Sequence, residues 1–318
     1  MTGRLSKSAS SPAGFGRSLL GLFGGSLLQR SRSSYQDAVA ERMPQLSVDC
    51  SMETDLGLRR EENEDSIGYK IFPASGVRRG QGILAIVADG MGGHVNGKEA
   101  SRLAVETVMR VYSARRLGSP RKALDSAFRH ANAAIVKASG KSQSPRRMGT
   151  TCTAISIESG RAIFAHIGDS RLYFWRAGEL VQLSSDHTVV SRMVADGLIT
   201  QEEAERHPDR NVLLRALGVE ELGAPDMISV DHALMGGDVF CLCSDGLSGL
   251  VQASAIATAL GEESPSTACR ALVDAALANG GHDNISVGVI RVLSGDTLRP
   301  GRVVKDTRQS QSVGEEEE

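Results

Sequence analysis

Short apolar runs recur through the middle of the chain, and each stops at Gly, Asp or Ser. Residues 83–88, 151–157, 162–167, 171–175, 239–243 and 285–292 are rich in β-branched side chains and predict strands. Other stretches carry the helical period: between residues 98 and 115, Ala100, Leu103, Ala104, Thr107, Val108 and Val111 fall on one face. Ser119-Pro120 predicts a capped helix start with proline in the first turn, closed by Gly140, and Ser264-Pro265 with Gly280 frames a second helix in the same way. The runs 162–167, 171–175 and 180–183 are separated by turns too short for a parallel crossover, so they are expected to pair antiparallel in one sheet. Helices must then pack on the sheet faces. The expected class is α+β, two mainly antiparallel sheets flanked by helix pairs.

Polar stretches divide the chain. Residues 1–45 read as a disordered arm, basic and rich in Ser and Gly, that holds a short apolar run from Leu19 to Leu28. That run is too short to span a bilayer, which leaves a weak membrane-surface contact as the alternative to a plain extension. Residues 46–295 are expected to form the folded domain, with a polar, helical flap at about 185–225, and residues 296–318 an acidic tail ending in four glutamates. At 318 residues, 41% hydrophobic and 23% charged, the chain can bury a sizeable core. A net charge of −2 gives no footprint for nucleic acid. Five cysteines without Cys-x-x-Cys spacing suggest neither a disulfide framework nor a zinc site; Cys241 and Cys243, two apart in a strand, share a face as small buried hydrophobes do. A cytoplasmic setting is expected.

The candidate chemistry lies where apolar strands meet acids. One predicted strand runs into Asp89-Gly90 and another into Asp245-Gly246, while Glu64-Asp65 and Asp283 precede two more. A carboxylate held at the edge of a core is costly unless a cation neutralises it. Strand ends can converge, so Glu64, Asp65, Asp89, Asp245 and Asp283 are candidates to line one cleft. Oxygen ligands without His or Cys favour Mg²⁺ or Mn²⁺. Two such ions would acidify a shared water, the resulting hydroxide could attack phosphorus in line, and Arg60, four residues before Glu64, is the candidate phosphate clamp.

In order along the chain stand Arg60-Glu61-Glu62-Asn63-Glu64-Asp65, Val87-Ala88-Asp89-Gly90-Met91-Gly92-Gly93-His94, Met148-Gly149-Thr150-Thr151, Gly168-Asp169-Ser170-Arg171, Ser185-Asp186-His187-Thr188, Ser244-Asp245-Gly246 and His282-Asp283-Asn284. This set resembles the protein phosphatase 2C family of metal-dependent serine/threonine phosphatases, its bacterial branch in particular. The resemblance implies a four-layer αββα sandwich and hydrolysis of phosphoserine and phosphothreonine in proteins by a hydroxide bridging two Mn²⁺ or Mg²⁺ ions. It implies that Asp89 bridges both ions, Asp245 and Asp283 complete the first site, and Glu64 with the Gly90 carbonyl serves the second. Asp65 would hold metal-bound water, and Asp169 with Asp245 a third, weaker ion. Substrates would be phosphoproteins of a eukaryotic-like Ser/Thr kinase system. Eukaryotic relatives carry a histidine after the Asp-Gly, where this chain has Met91; His94 is the candidate general acid in its place. A non-catalytic module that captures a phosphorylated partner is the alternative class, disfavoured by the complete ligand set.

Overall fold

The computed structural model describes residues 46–74, 81–91, 95–114, 119–140, 148–219, 223–230 and 233–294. The expected arm and tail lie outside the described residues, as does His94.

Strand β3 (Gly82–Met91) sets the layering. Its residues alternate between two cores, with Ile83, Ala85 and Val87 in one, Leu84, Ile86 and Ala88 in the other, and all six fully buried. Both faces are covered, which is why the strand reads as a continuous apolar run. On one side lie helices α1 (Val95–Ser113) and α2 (Pro120–Ser139), which contribute Ala100, Ala104, Val108, Phe128 and Ile135. On the other lie β10 (Val239–Cys243) and β11 (Ile285–Leu293), which contribute Phe240, Leu242, Ile290 and Val292. The opposite face of β10, with Val239, Cys241 and Cys243, packs on α6 (Ala253–Leu260) and α7 (Pro265–Ala278). The result is the four-layer αββα sandwich with three apolar seams. All five cysteines are free and buried.

The first sheet orders β1 (Ser47–Asp55), β11, β10, β7 (Arg171–Arg176) and β8 (Glu179–Gln182). The second orders β2 (Asp65–Phe72), β3, β5 (Cys152–Glu158), β6 (Arg161–Ile167) and β9 (Asp226–Ser229), with β4 (Gly149–Thr150) beside β3. All these pairings are antiparallel. Three expectations from the sequence need correction. The runs at 162–167 and 171–175 are not partners: β6 and β7 belong to different sheets, and Gly168-Asp169-Ser170 carries the chain across the sandwich. Gly168 takes φ +109°, a left-handed turn in which any side chain would press on Thr151, so a connector of three residues changes sheet instead of folding a hairpin. Ser119 and Ser264 stand at the helix starts, but neither side chain makes a capping bond. The acids do not simply end strands either. Asp89 lies inside β3, and Asp245 opens the short helix α5 (Asp245–Ser248).

Candidate metal centre

Strand register brings the first two acids together. In the β2–β3 ladder Asp65 stands directly opposite Asp89, on the side chain series of Ile83, Ala85 and Val87, so both carboxylates point between the sheets at one end of the sandwich. Opposed like charges destabilise a strand pair. The sheet-crossing turn adds Asp169 at the same end, α5 adds Asp245 beyond β10, and the segment before β11 adds Asp283. Their charges act on one another: Asp89 feels Asp65, Asp245, Asp169 and Asp283.

Burial and this crowding push the acids up together. Desolvation, with Asp245 and Asp283 nearby, raises Asp65 to about 7, although Ser244 and Ser286 beside it pull the other way. Burial raises Asp169 to about 7 with help from Asp245 and Asp186, and holds Asp89 well above the carboxylate range. Asp245 is raised too, by burial and by Asp283, and drawn partly back by hydrogen bonding with Asp89. Asp283 is tied at 2.7 Å to Arg60, whose side chain is 47% exposed. An ion pair so open to water contributes little stability, and the guanidinium is free to exchange its partner for another anion.

Among the described residues no group of three or more His, Cys, Asp or Glu side chains is already arranged around one ion-sized point; Asp89 and Asp245 contact each other, and Asp283 is on Arg60. The donor set nevertheless fits a hard cation. Asp65 Oδ2 and Asp245 Oδ1 are buried without a hydrogen-bond partner, an arrangement that a divalent ion would satisfy while removing the mutual repulsion. The Glu64 carboxylate lies against Gly97, and the Gly90 carbonyl is close by. At Gly90 even a methyl group would overlap the backbone of Gly97 and Glu64.

Several residues that hold this site were not singled out as site residues from sequence. Asn284 accepts from the Glu64 amide at 2.9 Å and donates to the carbonyls of Leu56 and Glu62, so it grips both ends of the loop that carries Arg60. Thr151 accepts the Asp89 amide at 2.9 Å, and its hydroxyl also meets Ser170 at 2.7 Å, which links the strand of Asp89 to the turn of Asp169. The signal for both was proximity in sequence: Asn284 follows Asp283, and Thr151 ends the Met148 motif. Their contacts, however, run over long sequence separations. Met91, directly after Asp89-Gly90, pairs with Gly149 in β4.

The flap begins beside the Asp169 turn. It holds α3 (Val189–Ala195), capped by Thr188, and α4 (Gln201–Glu205), opened by a capping box of Thr200 and Glu203. Asp186, at its base, takes a bidentate grip from Arg171 with a shortest distance of 2.7 Å.

Comparison with known proteins supplies the context for this geometry. The family model of protein phosphatase 2C matches residues 60–279. The serine/threonine protein phosphatase PstP of Mycobacterium tuberculosis is 38% identical over 243 residues, which are 76% of this chain and 45% of that protein, so the chain spans under half of that curated relative's length. Protein phosphatase PhpP of Streptococcus pneumoniae is 32% identical over 246 residues, covering 76% of this chain and 97% of PhpP. Among solved structures, the catalytic domain of PstP in complex with two manganese ions superposes with a TM-score of 0.68 at 36% identity, over 78% of this chain and all of that one.

Proposed function

The chain belongs to the protein phosphatase 2C family, and on that premise we propose that it is a metal-dependent hydrolase of phosphoserine and phosphothreonine in proteins. The observation that carries this reading is the in-register pair Asp65 and Asp89, joined at the sandwich end by Asp169, Asp245 and Asp283 with two buried carboxylate oxygens unpaired. Asp89, Asp245 and Asp283 would hold one ion and Asp89, Glu64 and the Gly90 carbonyl the second, with Mn²⁺ or Mg²⁺ as the ions and a third, weaker one on Asp169 and Asp245. Two divalent ions held there would supply an acidified water as the nucleophile and stabilisation for charge developing on the phosphoryl oxygens. Asp65 would orient that water by accepting its hydrogen bond. Arg60 leaves Asp283 to grip the phosphoryl oxygens bidentately at the mouth of the site. His94 remains the candidate proton donor to the leaving alcohol.

Phosphoproteins of a eukaryotic-like Ser/Thr kinase system are the proposed substrates. Five free, buried cysteines support a cytoplasmic setting. The test is phosphate release from a phosphothreonine peptide with Mn²⁺, with Mg²⁺ and with chelator. Release is expected with metal, to vanish in chelator, and to drop about 100-fold or more in Asp89→Asn. Hydrolysis that persists in chelator would sink the reading, and tight capture of the peptide without release would replace it with a binding module.

A further inference from the structure

A cluster of titratable side chains lies outside the carboxylate centre, at the base of the flap. His187 is its hub, and its side chain is 10% exposed. On one side it holds the sheet-crossing turn twice: the Gly168 amide donates to His187 Nδ1 at 3.1 Å, and the His187 amide donates to the Gly168 carbonyl at 2.8 Å. Nδ1 accepts there, and Nε2 faces Asp226 Oδ2 on β9 at 3.1 Å. Arg215, at the exit of the flap, stands 2.8 Å from the same nitrogen and gives its hydrogens to Asp226 Oδ1 at 2.7 Å. The ring also rests on His166, with centroids 4.8 Å apart, and His166 Nε2 donates to the Ser185 carbonyl at 3.1 Å.

The flap has few other holds. Between residues 189 and 216 only Val190 and Ala204 are buried, and a cavity of about 600 Å³ opens beside His187, Arg192 and Arg215. Elements with so little apolar burial depend on polar ties at their base. The exit is tied by Leu217, which exchanges backbone bonds with Thr150, and by Asn132, which bonds Gly218 and Val219. The entrance is tied through His187 and, one residue earlier, through the bidentate grip of Arg171 on Asp186.

We propose that His187 is a positioning residue that joins the flap to the Gly168-Asp169 turn, so that the seat of the flap sets where the Asp169 carboxylate stands in the metal centre. The turn is gripped from two sides: Thr151 fixes it to the strand of Asp89, and His187 fixes it to Asp226 and Arg215. This inference rests on the phosphatase reading for the role of Asp169.

The two nitrogens of His187 can be tested separately. His187→Asn keeps an acceptor near the Gly168 amide but cannot reach Asp226; His187→Gln reaches Asp226 but loses the acceptor at Gly168. Mn²⁺ binding to the full chain would be followed by calorimetry without substrate, and flap opening by amide hydrogen exchange. His187→Gln should weaken the Asp169-dependent binding event about 10-fold, as loss of an outer partner of a metal ligand does, and should have no further effect in an Asp169→Asn background. His187→Asn should accelerate exchange between residues 189 and 213 and, because it loosens the seat of the flap, should also weaken that event, though less than His187→Gln does. Thermal unfolding checks that each variant folds. If His187→Gln does not, Asp226→Asn takes its place in the cycle, since it loosens the ring from its far nitrogen. An unchanged isotherm in His187→Gln, or an effect that persists undiminished in Asp169→Asn, overturns the link. A wild-type chain that binds no Mn²⁺ overturns the phosphatase reading as well, so the two failures are distinct.

Discussion

Asp65 has a full ladder partner in Asp89, yet its carboxylate is one of the least comfortable groups in the protein. Burial and neighbouring acids raise it from 3.8 to about 7. The folded state therefore binds more protons than the unfolded chain between those values, and the stability this group contributes is complete below about pH 4 and is lost as pH rises through 7. In chelator the melting temperature is expected to fall from pH 5 to pH 7.5, and Mn²⁺ is expected to raise it more at pH 7.5 than at pH 5. A chelated protein that gains stability across this window would overturn this expectation and show that His166, which burial lowers to about 4, governs the pH dependence in place of the buried carboxylates. At the same scale, Asp89, Asp245 and Asp283 stood out in sequence because an acid beside an apolar strand is unusual. Asn284 and Thr151 did not, because an amide or hydroxyl shows its use only once its distant partners are in place.

At the scale of elements, most strands and helices follow from period and punctuation, and the departures have local causes. Ser119 and Ser264 occupy the cap positions that the Ser-Pro signature marks, but the hydroxyls bond elsewhere or not at all, so the prolines and the apolar faces start these helices. Ser119→Ala is accordingly expected to cost under about 0.5 kcal/mol in urea unfolding, against the ~1 kcal/mol of a bonded serine cap; a loss near the larger figure would restore the cap. The runs 162–167 and 171–175 read as partners in sequence but lie in different sheets, because a short connector looks the same whether it folds a hairpin or steps between sheets. The backbone of Gly168 makes the difference, and with it the position of Asp169.

For the whole molecule, stability rests on three apolar seams, and the central one joins the two sheets on which the acids stand. Phe240, fully buried there against Phe174 at 5.1 Å between ring centroids, ties β10 to β7 and to the opposite sheet. Phe240→Ala is expected to cost about 3–5 kcal/mol in chemical denaturation, and a loss below about 1 kcal/mol would mean that the seam repacks. Because Asp89 stands on one sheet and Asp245 follows directly on β10 of the other, loosening this seam should also weaken Mn²⁺ binding.

Local order is written along the chain: alternation specifies strands, the 3.6-residue period specifies helices, and acids placed at the ends of apolar runs mark hard-cation chemistry, because each of these depends on neighbours a few residues away. Ordered motifs carried the family. Which sheet each strand joined, that Asp65 would face Asp89 in register, that Asn284 would hold the loop of Arg60, and that His187 would brace the Asp169 turn were decided only by the tertiary structure, because each is a contact between segments distant along the chain whose geometry exists only when the four layers close.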